Sequence, residues 1–198
     1  SKDFHTSRLA EGVLNPEPDT NGYYWMYPNV ERIDCYADVT IDNQINTHLD
    51  QKATINLNGN ILYQNRVVRI GVSQGSKIQS GSLTINDGTL YSTNVFQLRY
   101  GTTLTFNGLT YTSTQRGIRN ECGNVIINDC VVNTANSLMY ITNTANMSET
   151  NSHSLIINDS HVTVKENLID FHEGDATKTN YLNTYIMGDS IISIKDYA

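Results

Sequence analysis

Apolar and polar residues alternate along most of this chain, in short runs that end at Asn, Gly or Asp. The stretch SLTINDGTLYST, which begins at Ser82, contains two such runs. A period of two is typical of a β-strand that buries one face, and Asn followed by Asp is typical of a tight turn. The pattern therefore predicts a strand, a turn at Asn86 and Asp87, and a second strand.

Six copies of this pattern occur in the chain, and each is anchored on an Asn or, in the last copy, on a Gly. The anchors are Asn58, Asn86, Asn107, Asn128, Asn158 and Gly188. Consecutive anchors are 28, 21, 21, 30 and 30 residues apart, a spacing typical of β-solenoid coils. A third apolar segment, such as Phe96-Gln97-Leu98, lies between most consecutive anchors, and the extra residues of the longer copies follow this segment. The predicted fold is therefore all-β, a parallel β-helix of about six coils with three short strands each and with its insertions at one corner.

Alternate side chains of such coils point inward and stack on equivalent side chains of the next coil. Three inward columns are predicted: Leu83, Leu104, Val125 and Leu155; Ile85, Phe106, Ile127 and Ile157; and Leu62, Leu90, Val132, Val162 and Ile192. A stripe of three tyrosines is predicted to face outward, namely Tyr63, Tyr91 and Tyr111.

The polar turn positions are interpreted as structural. An Asn amide can hydrogen-bond along a stack of identical turns, so the anchor asparagines are expected to form a ladder. The residues that follow the anchors include four aspartates, which are ordinary turn residues and are not assigned to cation binding. They are Asp87, Asp129, Asp159 and Asp189.

Residues 39–198 are predicted to form the β-helix domain. Residues 1–38 do not follow the repeat and are predicted to form an irregular N-terminal segment or cap. Their aromatic cluster, YYWMY from Tyr23, is interpreted as a plug over the first coil. The chain does not begin with Met, so we expect it to be a processed piece of a longer protein.

Charge and composition exclude several classes of protein. The net charge of −7 argues against nucleic acid as a partner, because that affinity depends on clustered Lys and Arg. The chain contains no apolar run long enough to insert into a membrane. The three cysteines lack the spacing of a zinc site or a disulfide framework and are expected to be reduced and buried. No motif for a cofactor or a phosphate loop occurs, so neither a cofactor nor a metal is expected.

Coils of three short parallel strands with irregular corner loops and an Asn-rich turn resemble the right-handed, pectate-lyase-like β-helix. The acidic composition, rich in Asn, Thr and Ser, is similar to that of bacteriophage tailspikes and appendage proteins. The resemblance covers about residues 39–198. It implies a virion location, with a secreted or cell-surface location as the alternative. It also implies a homotrimer that binds, and often depolymerises, a bacterial surface polysaccharide.

Candidate binding residues lie in and beside the third apolar segment of the coils. The outward side chains of this segment are predicted to form one column: Arg69, Gln97, Arg119, Tyr140 and Asp170. The predicted glycan-binding residues are Arg69, Gln97, Arg99, Arg119 and Tyr140. Arginine forks suit hydroxyls and carboxylates, and aromatic rings stack on sugars. An interface between subunits favours the same residue types, so both interpretations stay open.

The stretch LIDFHEGDA contains the candidate catalytic residues, Asp170 and Glu173. Glycan hydrolysis needs two carboxylates, one protonated and one ionised, and Asp129 is a further candidate. A solvated loop has the same composition. Three functions are therefore carried forward: a polysaccharide-binding module, a glycan hydrolase or lyase on the same scaffold, and a structural connector in a particle.

Overall fold

The computed structural model describes residues 2–4, 13–75, 77–142, 152–173, 177 and 179–195, with the backbone alone at 2–4, 172 and 173. Within these residues the protein is all-β: they form strands, turns and loops, and none lies in an α-helix. The described part of the chain therefore contains no helix long and apolar enough to cross a membrane.

The described residues form twenty strands, which are numbered here in chain order. They are β1 (Lys2–Phe4), β2 (Tyr24–Trp25), β3 (Arg32–Cys35), β4 (Val39–Ile41), β5 (Ile45–Asn46), β6 (Lys52–Asn56), β7 (Ile61–Gln64), β8 (Val68–Ile70), β9 (Ser82–Ser92), β10 (Phe96–Leu98), β11 (Thr103–Ser113), β12 (Ile118–Asn120), β13 (Asn124–Asn128), β14 (Val131–Thr134), β15 (Met139–Thr142), β16 (His153–Asn158), β17 (His161–Val164), β18 (Ile169–Glu173), β19 (Leu182–Met187) and β20 (Ile191–Ile194).

The strands form two sheets, and all the pairings between them are parallel. The thirteen-stranded sheet has a first row, β1-β3-β6-β9-β11-β13-β16-β19, and a second row, β4-β7-β9 and β11-β14-β17-β20. The long strands β9 and β11 belong to both rows. The seven-stranded sheet has the order β2-β5-β8-β10-β12-β15-β18. Neither sheet is closed into a barrel within the described residues, and successive neighbours in a row come from successive copies of the repeat.

The register of the first row confirms the first two inward columns. Leu83 pairs with Leu104, Leu104 with Val125, and Val125 with Leu155. All four side chains are buried, as are the four members of the column that contains Phe106. Each buried aliphatic side chain of this kind stabilises the fold by about 1.5–3 kcal/mol, so the columns form the core between the two sheets.

Tyr111 was predicted to face outward, and this prediction is wrong. Tyr111 pairs with Leu90 on one side and with Val132 on the other, and its side chain is fully buried. Its ring packs edge to face on Phe106, with 5.1 Å between the centroids. Tyr111 stands four residues after its anchor Asn107, as Leu90 stands four after Asn86, so it belongs to the third inward column. Tyr63 and Tyr91 do face outward, and their rings lie edge to face at 6.3 Å.

The asparagine ladder is confirmed in the middle of the first row. Asn107 donates from Nδ2 to Asn86 Oδ1 at 2.8 Å, and Asn128 donates to Asn107 Oδ1 at 2.9 Å. Asn86 donates in turn to Asn56 at 2.8 Å. Asn58 was the predicted member at this point, and that prediction is wrong because Asn56 is the residue that pairs with Asn86. Two extra residues therefore lie in the turn before β7, so the insertions are not confined to one corner.

An aspartate follows each of Asn86, Asn128 and Asn158 and takes a left-handed backbone conformation. Its φ is 54° at Asp87, 52° at Asp129 and 47° at Asp159. Asp tolerates this region better than most residues, which confirms the interpretation of these aspartates as turn residues. Gly188 occupies the same position, since Met187 pairs with Asn158, and was wrongly placed in the asparagine column.

Part of the N-terminal segment joins the sheets. Tyr24–Trp25 pairs with β5 and Arg32–Cys35 with β6, both in parallel. Val13, Leu14 and Met26 are buried against the first strands, where Leu14 and Met26 form an antiparallel bridge. The division of the chain at residue 38 stays a prediction. The three cysteines are free and buried, as expected.

Candidate functional site

One column of side chains runs across the outer face of the seven-stranded sheet. The predicted column of Arg69, Gln97, Arg119, Tyr140 and Asp170 is in register on neighbouring strands. The column continues through Asn46, which pairs with Arg69, to Trp25, which pairs with Asn46. The structure therefore brings the predicted binding residues together and adds two residues from the N-terminal part of the chain.

Gln97 is a buried member of this column, and it orients the arginine beside it. Its amide oxygen accepts from Arg69 Nε at 2.7 Å, and its amide nitrogen donates to Glu121 Oε1 at 2.6 Å. Only 4% of the residue is exposed. Its amide is thus engaged on both sides by protein groups and holds Arg69 in a defined position.

Glu121 is a buried carboxylate between two arginines. Arg99 bonds to Oε2 through Nη1, and Arg119 Nε lies 3.5 Å from Oε1. A buried charge is costly unless it is paired and hydrogen-bonded, and here both conditions are met. The pairing explains why Arg99 and Arg119 are half-buried and not fully exposed to solvent.

An aromatic cleft of about 180 Å³ lies at the Trp25 end of the column. Its lining includes Asp19, Tyr23, Trp25, Asn46, Arg69 and Arg99. The Arg69 guanidinium lies 4.8 Å above the Tyr23 ring, a cation–π contact. Asp19 fixes the cleft wall: it accepts from the Trp25 indole at 3.1 Å and from the Tyr23 backbone at 3.0 Å. The hydrogen bond from the Tyr23 backbone, and to a smaller extent that from Trp25, hold the pKa of Asp19 below its usual value.

An edge groove follows the edge of the same sheet at which its strands begin. It is lined by the segments that precede successive parallel strands, namely 42–44, 66–67, 94–95, 114–116 and 135–136. Its two parts have volumes of about 290 and 440 Å³, and the adjacent residues Asn94 and Val95 line one part each. Because the strands are parallel, their amino ends share one edge of the sheet, which aligns these segments in a line.

Tyr140 forms the wall of the larger part of the edge groove. The Arg116 guanidinium lies 5.1 Å above its ring, and Arg116 Nη2 lies 3.4 Å from Asp170 Oδ2. Tyr140 is 7% exposed, so only a small part of the residue is accessible from the groove.

The predicted catalytic residues are only partly described. The Asp170 carboxylate is ion-paired with Arg116, as noted above. Glu173 ends β18, and its side chain lies outside the described residues, as do residues 143–151 of the loop that follows β15. Asp129 lies in the thirteen-stranded sheet, at the turn after β13, and is not brought to Asp170. Catalysis by these residues stays a prediction.

No family model, curated protein or solved structure matches the chain. Among the described side chains, no three His, Cys, Asp or Glu residues are close enough together to hold a metal ion.

Asn46 and Trp25 were missed as site residues because β2 and β5 are only two residues long. Such a strand shows no alternation by itself. A signal was present in the spacing, since Ile45-Asn46 lies 23 residues before Val68-Arg69, within the range of the other repeats.

Proposed function

We propose that this chain is a right-handed parallel β-helix that binds a bacterial surface polysaccharide, as a tailspike-like module of a virion. Along the chain, a strand of the first row is followed by one of the second row and then by one of the seven-stranded sheet, and this repeated order supports the helical path. The right-handed sense is the one that parallel crossover connections take in nearly all proteins. About six coils with three strands each remains the proposed count.

The edge groove is the observation that carries the binding proposal. It crosses five neighbouring strands, and with about 4.8 Å between strands it extends for about 19 Å. An elongated groove of this length accommodates several sugar rings of an extended polymer. Its lining of Asn, Gln, Thr and Arg offers many hydrogen-bond donors and acceptors, which sugars require in place of a deep apolar pocket.

The predicted residues take different parts in this proposal. Arg69, Arg99 and Tyr140 border the two depressions on the outer face. Gln97 and Arg119 act through their contacts with Arg69 and Glu121. The proposal thus separates residues that would contact the glycan from residues that position them.

A blocking substitution tests the binding site. Gln115 is an exposed lining residue, so Gln115→Trp should fill the groove and abolish polysaccharide binding without unfolding the protein. Thr110→Trp is the matched control, because Thr110 is exposed on the thirteen-stranded sheet. Wild type and both variants are screened on an array of bacterial polysaccharides. The proposal fails if wild type binds none of them, or if the two variants lose binding equally.

The same samples address cleavage and assembly. Release of oligosaccharide by wild type but not by Asp170→Asn would favour the hydrolase or lyase, since the amide keeps the shape and removes the charge. Sedimentation of the purified chain tests the proposed homotrimer, and a monomer that binds no glycan would favour the connector.

A further inference from the structure

We propose that the aromatic cleft binds the negatively charged group of an acidic sugar, a carboxylate or a sulfate. The inference rests on the proposed function, because it assigns one residue of the bound polysaccharide to this cleft. The inference goes beyond the proposed function because it gives the cleft a preference for negatively charged sugars, which is not proposed for the edge groove.

Unsatisfied donors are the first observation. Asn46 is 2% exposed, and its Nδ2 atom has no hydrogen-bond partner among the described residues. Arg99 Nε is likewise buried and unpartnered there, although Arg99 bonds to Glu121 through Nη1. Both residues line the cleft. Buried donors are almost always satisfied in native proteins, so two of them at one cleft indicate a ligand rich in acceptors.

Arg69 supplies the charge. Within the described residues, the ion pairs involve Arg32, Arg99, Arg116 and Arg119, but none involves Arg69. Its side-chain hydrogen-bond partners are the neutral amides of Gln97 and Gln44; the Gln44 oxygen, when it faces Arg69, accepts from Nη1 at 2.9 Å. Asp19 is near enough for Arg69 to help lower its pKa, but the two side chains form no ion pair. The guanidinium therefore has no bonded carboxylate and is able to pair with an anion.

The carboxylates at and beside the cleft are already engaged by protein donors. Asp19 accepts through Oδ1 from the backbones of Asn21 and Tyr23, and through Oδ2 from the Trp25 indole. Glu121 is engaged by Arg99, Gln97 and Arg119. Among the described lining side chains, the buried polar atoms that lack a partner are both donors, Asn46 Nδ2 and Arg99 Nε, which favours an anion over a neutral hydroxyl group.

Trp25 makes the inference directly measurable, because it is the only tryptophan of the chain and lines the cleft. Its fluorescence is followed while glucuronate, glucose 6-sulfate or glucose is added at constant ionic strength. We expect a saturable change with glucuronate, glucose 6-sulfate or both, and at least about tenfold weaker binding of glucose, the ratio typical for loss of one charged hydrogen bond. The two acidic sugars distinguish a carboxylate site from a sulfate site.

Arg69→Gln should weaken binding of the acidic sugar by about tenfold or more, whereas Arg32→Gln should not. Arg32→Gln is the matched control because it removes the same charge, but from an exposed position on the thirteen-stranded sheet. Circular dichroism shows whether each variant is folded. The comparison of acidic sugars with glucose uses the wild-type protein alone and does not depend on the variants. An equal response to glucose and to both acidic sugars, or no response to either acidic sugar, overturns the charge preference. That result leaves the proposed function standing if Gln115→Trp still abolishes polysaccharide binding.

Discussion

Asn107 is the best position at which to test the asparagine ladder, because it has a ladder neighbour on each side. Its Nδ2 donates to Asn86 at 2.8 Å, and its Oδ1 accepts from Asn128 at 2.9 Å. The substitution Asn107→Ala removes both hydrogen bonds and leaves the inward-facing neighbour Phe106 unchanged. It also leaves Asn86 Oδ1 without its donor and Asn128 Nδ2 without its acceptor.

The magnitude follows from these two bonds. A side-chain hydrogen bond contributes about 1 kcal/mol net, and an unsatisfied half-buried partner adds to the loss. We therefore expect Asn107→Ala to lower the free energy of unfolding by about 2 kcal/mol. For a protein of this size, that corresponds to a fall in melting temperature of about 4–8 °C.

Equilibrium urea denaturation of wild type, Asn107→Ala and Asn133→Ala measures the effect. Asn133 is an exposed residue of β14 outside the ladder, and its substitution should change stability by less than about 0.5 kcal/mol. A double-mutant cycle with Asn86→Ala then isolates the coupling between neighbours in the ladder. If Asn107→Ala is no less stable than Asn133→Ala, or if the cycle shows no coupling, the ladder does not stabilise the fold and the reasoning is refuted.

Two further predictions concern the interior. Burial lowers the pKa of His153 to about 4 from 6.5, so its contribution to stability is full above pH 6.5 and is lost as the pH falls toward 4. As the pH falls through this window, the free energy of unfolding of His153→Gln should rise by up to about 3 kcal/mol relative to that of wild type. The exposed control His161→Gln should show no such gain. Parallel pH profiles of stability for wild type and His153→Gln would contradict this. A Cβ at Gly117 would lie 2.8 Å from the Leu138 carbonyl oxygen and 2.9 Å from the Tyr111 hydroxyl, so Gly117→Ala should destabilise the protein by about 1–3 kcal/mol. Tyr111→Phe should relieve part of that loss in the double variant, as measured by thermal denaturation, and strictly additive effects would show that the hydroxyl contact is not the cause.

The candidate site was predictable only where its strands were long enough to show a pattern. Arg69, Gln97, Arg119 and Tyr140 follow apolar residues that recur with the repeat, so their common column could be inferred before their contacts were known. The sequence did not reveal that Gln97 and Glu121 are buried between arginines, since that arrangement depends on the distances between side chains of neighbouring strands. Trp25 and Asn46 were missed because two-residue strands carry no periodicity.

The sequence by itself determined the longer strands, the first two inward columns and most turn residues, because each follows from a local rule: a period of two, and the tolerance of Asp, Asn and Gly for a left-handed turn. Tyr111 followed the same local rule, since its distance from Asn107 places it in the third inward column. The tertiary structure decided the register at the start of the ladder, where a two-residue insertion shifts it from Asn58 to Asn56. The local alternation is the same for either register, because the packing of one strand on the next selects between them. The outer face was decided in the same way, by strands that are distant in sequence and adjacent only in the folded sheet.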